Sequence, residues 1–144
     1  MKYMLDTNIC VFLMQDHPNV VAAFSKKKKD GIAISTITLA ELEYGVNNSK
    51  STAAMDRNRT KLISFLTLVD VLDFDSKAAA EYGKIFADLT KRGCRIGLLD
   101  TQIAAHAKSA GLAIITNNNH EFKRINGLLM EDWSRHEHDK TRTN

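Results

Sequence analysis

Apolar residues occur along this chain in short blocks, each closed by a polar or turn-forming residue. Tyr3, Met4 and Leu5 form the first block, and residues 2–5 read as a buried strand that ends at Asp6. After the turn Asp6-Thr7-Asn8, apolar residues at helical spacing predict a helix over 9–15, with Asn8 as its N-cap. His17-Pro18 breaks it, and Pro18 suits the first turn of a second helix that carries Val20, Val21, Ala23 and Phe24 into Lys26, Lys27, Lys28 and Lys29. Asp30-Gly31 signals a turn, and "IAIS" at 32–35 reads as a second strand.

Residues 36–49 and 52–68 read as helices, the latter with an apolar stripe of Leu62, Ile63, Phe65 and Leu66. A strand is expected over 69–74. Asp75 then caps a helix through Thr90 that turns Ala78, Ala79, Tyr82, Ile85, Phe86 and Leu89 inward. Residues 91–97 form a basic, glycine-bearing loop. A helix over 98–111 ends with Gly111 at its C′ position. Residues 112–116 are a strand, 117–122 a polar loop or helix start, and 128–133 a last edge strand. Strands alternating with helices predict a three-layer α/β/α domain with a parallel sheet over 1–133. The polar tail 134–144 is expected to be disordered.

Composition narrows the class. The 144 residues fit one domain, and 44% hydrophobic with 26% charged residues suits a globular chain. No apolar run reaches the roughly 18 residues that span a membrane, and the few apolar residues before Asp6 are no secretory leader. Cys10 and Cys94 stand far apart without a C-x-x-C pattern, so a reduced, cytoplasmic setting is the default. The net charge of +3 permits a polyanionic partner without demanding one.

The acids change the picture. In a parallel α/β sheet, sites form outside the carboxyl ends of the strands, at a switch point in strand order. Asp6 follows the first strand. Glu41 lies about two turns into the helix after the second. Asp100 opens the helix before the strand at 112–116, which itself leads to Asn117, Asn118, Asn119 and Glu121. Taken singly, Asp6 fits a turn residue, Asp100 a favourable charge at a helix start and Glu41 a solvated helix residue. Glu41 suits that reading least, because Leu39, Ala40 and Leu42 surround it. Gathered together, carboxylates about 4 Å apart repel by roughly 4 kcal/mol at an effective dielectric of 20, so three of them need a cation or shifted pKa values. All-oxygen ligation favours Mg²⁺ or Mn²⁺, and such an ion lets water attack a phosphodiester.

The segments "MLDTNIC", "ISTITLAELEYG", "LLDTQIAAHA" and "IITNNNHEF", in this order and spacing, resemble the PIN-domain ribonucleases, and among them the VapC toxins of bacterial toxin–antitoxin pairs. The resemblance covers about residues 2–133. It implies a sheet of about five strands, a homodimer, dependence on Mg²⁺ or Mn²⁺, inhibition by a VapB antitoxin, and site-specific cleavage of RNA. The RNA is prominently tRNA, with initiator tRNA suggested. By the same resemblance, Asp6, Glu41 and Asp100 are the metal-binding and catalytic acids. Thr7 and Asn8 orient them, and Thr116 and Asn118 form the polar pair after the last core strand. Relatives often carry a fourth acid there, so Glu121 or Asn118 is expected to fill the fourth position. A second departure is Leu98-Leu99 before Asp100, where relatives frequently have a proline.

Two basic sets are candidates to hold phosphates: Lys91, Arg92 and Arg95, close in sequence to Asp100, and the run Lys26, Lys27, Lys28 and Lys29. Each set also fits a solvated surface. His106 stands six residues after Asp100, on a largely different face, and reads as packing. His120 is a weak candidate for the site's edge, and His136 and His138 read as incidental. Tyr44, Tyr82, Phe65 and Phe86 read as core or dimer contacts. Competing readings are a DNA nuclease of similar metal chemistry, a phosphoacceptor receiver domain, and a non-catalytic binding module. A receiver pairs two acids early and places a Lys after a late strand, and neither feature is present. Intact Asp6, Glu41 and Asp100 argue against the binding module.

Overall fold

A computed structural model describes residues 1–135. Five strands form one sheet, each pairing with its neighbours in parallel: β1 Tyr3–Leu5, β2 Ile32–Ser35, β3 Asp70–Leu72, β4 Ala113–Ile115 and β5 Met130–Glu131. Their order is β3-β2-β1-β4-β5, so the chain steps outward from β1 to β3 and then returns to the other side of β1. That reversal opens the crevice outside the carboxyl ends of β1 and β4.

Among the described residues, seven α-helices flank the sheet: α1 Thr7–Met14, α2 Pro18–Lys27, α3 Thr36–Asn47, α4 Thr52–Leu66, α5 Ser76–Lys91, α6 Leu98–Ser109 and α7 Asn119–Phe122. Alternate strand residues face opposite layers. Tyr3, Leu5, Ile32, Ile34 and Ile115 pack with α1, α2, α3 and α4, while Met4, Ala33 and Ile114 meet Ile103 and Ala107 of α6. Ile85 and Leu89 of α5 join Ala104, Ala105 and Phe122 in a third cluster. Trp133, fully buried just past β5, meets Tyr3 edge-on at 5.3 Å between ring centres.

Local rules account for most boundaries. Pro18 opens α2, and Asp75 Oδ1 accepts from Ala78 N at 3.0 Å to cap α5. Gly111 follows α6 with φ +71°, which suits a residue without Cβ. Gly31 has φ +87°, and a Cβ there would come within 2.8 Å of Met1 Cα, so glycine is required where the chain passes the amino end of β1.

Some expectations are corrected. Helix α1 begins at Thr7, and its cap is Asp6, not Asn8. Ile63 turns outward, 58% exposed, leaving Leu62 and Phe65 as the buried part of that stripe. Ala79 is exposed as well. The strands expected over 69–74 and 128–133 are shorter, at three and two residues. Of the expected tail, Ser134 and Arg135 lie among the described residues: Ser134 O accepts from Asn19 Nδ2 at 3.0 Å, and Arg135 pairs with Asp132 at 3.2 Å. The rest of that tail, including His136 and His138, lies outside the described residues. Among the described residues, no helix is long and apolar enough to cross a membrane.

Candidate active site

Asp6 ends β1 and caps α1 with one side chain. Its backbone N–H donates to Ile115 O at 2.9 Å, extending the β1–β4 pairing, and Oδ1 accepts from Ile9 N at 2.9 Å. Two backbone elements therefore fix this carboxylate before any ligand arrives. It is 3% exposed, and burial is the main reason its pKa rises from 3.8 to about 6. Hydrogen bonds from Thr116 and Ile9 oppose that rise, while Asp100 and Asp132 add to it.

Glu41 comes from α3. Thr7 Oγ1 donates to its Oε1 at 2.7 Å, with Thr38 Oγ1 3.5 Å from the same hydroxyl. Thr7 is thus the residue that orients an acid, whereas Asn8 lies exposed on the first turn of α1. Asp100 sits in the first turn of α6, half-buried. Burial raises its pKa first, and repulsion from Glu121 and Glu41 raises it further. Beyond β4, the buried Thr116 Oγ1 accepts from Asn118 N at 2.8 Å, and Asn118 Nδ2 donates to Glu121 Oε2 at 2.9 Å. Asn118 therefore holds Glu121, and Glu121 faces Asp100.

Asp6, Glu41, Asp100 and Glu121, from segments distant in sequence, are thus electrostatic neighbours. Among the described residues, no Lys, Arg or His forms an ion pair with Asp6, Glu41, Asp100 or Glu121. Nor do three such groups stand at the spacing of a preformed metal centre. A Mg²⁺ or Mn²⁺ ion would retain waters and need only one or two direct carboxylates. Buried oxygen donors, raised pKa values and the absence of a paired cation among the described residues all fit a hard divalent ion.

Asp132 is a site neighbour that the sequence reading passed over. It is 8% exposed and contributes to the raised pKa of Asp6. Its place just past a strand's end, like that of Asp6, was the available signal. Its oxygens are already engaged: Oδ1 accepts from Ser134 N and Oγ at 2.8 and 2.6 Å, and Oδ2 lies 3.4 Å from Asn119 Nδ2.

The basic candidates divide. Lys26, Lys27, Lys28 and Lys29 lead into the amino end of β2, at the sheet edge opposite the acids. Lys27 donates to Glu131 at 2.7 Å and lies over the Tyr3 ring. In the loop before α6, Arg92 is held by Asp88 and by Arg124 O, both at 2.6 Å. The Arg95 guanidinium stacks over Phe86 at 5.0 Å, and Lys91 is exposed. His106 is buried against Phe74, consistent with packing. Tyr44 is 69% exposed and is not a core residue.

Residues 3–128 match the PIN domain family. The chain is 42% identical over 134 residues to the tRNA(fMet)-specific endonuclease VapC of Shigella flexneri, covering 93% of this chain and 99% of that one. It is likewise 42% identical to ribonuclease VapC2 of Rickettsia felis, over 94% of this chain and all of the relative. The DNA-bound VapBC of Salmonella typhimurium superposes with a TM-score of 0.86 at 41% identity, covering 92% of this chain and 98% of that one. With its acids at the carboxyl ends of β1, β2 and β4, the chain belongs to the PIN-domain family and, within it, to the VapC ribonucleases.

Proposed function

We propose that this chain is the toxin of a toxin–antitoxin pair, a Mg²⁺- or Mn²⁺-dependent endoribonuclease that cuts tRNA(fMet). The observation that carries the reading is the buried, doubly anchored Asp6 carboxylate facing Asp100. The relative named for tRNA(fMet) supports the substrate, since it matches across nearly the whole chain. The VapBC neighbour supports a VapB-like antitoxin as partner, and the family resemblance supports a homodimer. A tRNA substrate places the reaction in the cytoplasm.

Asp6 and Asp100 would hold the ion, with Glu41 as a third ligand or as the group that orients and deprotonates the attacking water. Such an ion would supply neutralisation of phosphate charge and a water of lowered pKa. Thr7 keeps Glu41 in one rotamer, Thr116 donates to Asp6, and Asn118 presents Glu121 as the fourth acid. Lys91 and its neighbours near α6 supply positive charge for the tRNA backbone. Hydrolysis leaves a 5′-phosphate and a 3′-hydroxyl.

The test is to incubate the purified chain with total RNA and Mg²⁺, with and without chelator, and to map new 5′ ends. One chelator-sensitive cut in initiator tRNA is expected. General degradation overturns the specificity, and no cleavage of any RNA overturns the enzyme.

A further inference from the structure

Two side chains outside the acid pocket join the elements that build it. Ser35 closes β2 and caps α3, its Oγ accepting from Ile37 N at 3.1 Å. His106 of α6 places Nδ1 2.8 Å from that same Oγ. Both residues are buried, at 0% and 3% exposure. Ser35 precedes Glu41 by six residues and His106 follows Asp100 by six. At about 1.5 Å of rise per residue, the bridge lies roughly 9 Å along each helix from its acid.

The hydroxyl serves both bonds if its proton goes to Nδ1, which leaves an oxygen lone pair for Ile37 N–H. Burial holds the His106 pKa below its ordinary value, against the pull of Asp75 and Asp73, and so favours the neutral ring this needs. The imidazole meets Phe74 edge-on at 5.6 Å, and Phe74 N donates to Thr36 Oγ1 at 3.1 Å. The ring is therefore tied to the start of α3 by two routes.

We propose that His106 is a positioning residue of the acid pocket: its bond to Ser35 sets α3 against α6, and so Glu41 against Asp100. The inference rests on the metal-dependent reading of that pocket. A displacement of about 1 Å passed on from a residue away from the chemistry can cost about 100-fold in rate.

The experiment compares wild type, His106→Leu, His106→Asn, Ser35→Ala and the Ser35→Ala/His106→Leu double variant. Leu fills the space without an acceptor, while Asn returns a polar atom near the place of Nδ1. Mn²⁺ affinity by calorimetry, the kcat and KM for cleaving a tRNA(fMet) transcript, and melting temperature are measured on each. For His106→Leu, Mn²⁺ binding about tenfold weaker and a kcat up to about 100-fold lower at unchanged KM are expected. His106→Asn restores both, and the double variant is no worse than the poorer single one. A His106→Leu protein that binds Mn²⁺ like wild type, a failed Asn rescue, or additive losses overturns the proposal. If wild type binds Mn²⁺ but cuts no RNA, the nuclease reading fails while the affinity series still decides the role of His106. If wild type binds no Mn²⁺, both fail.

Discussion

Thr7 Oγ1 donates to Glu41 Oε1 at 2.7 Å across 34 positions of sequence, joining the first turn of α1 to the middle of α3. Asp6, the adjacent residue, caps the same helix. The turn after β1 therefore positions two acids, one directly and one through a hydroxyl. Thr7→Val keeps the shape and removes the donor. Its kcat is expected to fall about 10–100-fold, with Thr7→Ser near wild type. Steady-state cleavage assays on the three proteins check this, and a Thr7→Val enzyme of full activity refutes it.

Asp6 gives the metal-free fold an unusual pH dependence. Its folded pKa of about 6 lies above the ordinary 3.8, so the folded chain binds this proton more tightly than the unfolded chain. The resulting stability is fully present below pH 3.8 and is lost as the pH rises through 6. The loss amounts to about 3 kcal/mol at pH 7. Asp6→Asn escapes it, and Asn still caps a helix. The variant is expected to lose cleavage, yet to melt above wild type at pH 7 in chelator and level with it at the acid end. Thermal melts across pH decide, and a variant that melts lower at pH 7 contradicts the account.

Glu121 and Asn118 make separable contributions. Glu121→Gln removes a charge facing Asp100, whereas Asn118→Ala removes only the amide that holds Glu121. Mn²⁺ titration is expected to rank affinity as wild type, then Asn118→Ala, then Glu121→Gln. The reverse order of the two variants would make Asn118 the fourth position.

Charge reversal sorts the basic residues. If Lys91 meets a phosphate, Lys91→Glu weakens RNA binding across sequences and lowers the slope of log affinity against log salt by about 1. Lys28→Glu, at the far edge of the sheet, leaves that slope unchanged. Filter binding of the Asp6→Asn background over a salt series measures both, and equal slopes for the two reversals remove the loop from the interface.

Features set by neighbours in sequence were legible before the fold. Pro18, Asp75 and Gly111 open or close helices as expected, because a cap is a contact over two or three residues. Periodicity located the buried faces of α4 and α5 but not their edges, so Ile63 and Ala79 were placed inside. Asn8 was the plausible cap by residue type, but Asp6 took the role because pairing with β4 fixes its backbone where its carboxylate meets Ile9 N. The lysines at 26–29 are a charge run in any reading, and only the direction of β2 puts them at the far edge.

The sequence by itself determined the alternation of strands and helices and the three-layer class, and it singled out Asp6, Glu41 and Asp100 as candidates, because strand ends and caps are local and the motif spacings are visible in one dimension. The tertiary structure decided what those acids are to each other. The strand order brings β4 beside β1, and through it Thr116 to Asp6 and Glu121 to Asp100. The crossing of α3 and α6 brings Ser35 to His106. Burial, repulsion and shared hydrogen bonds depend on distances through space, and those exist only once the sheet has closed around β1.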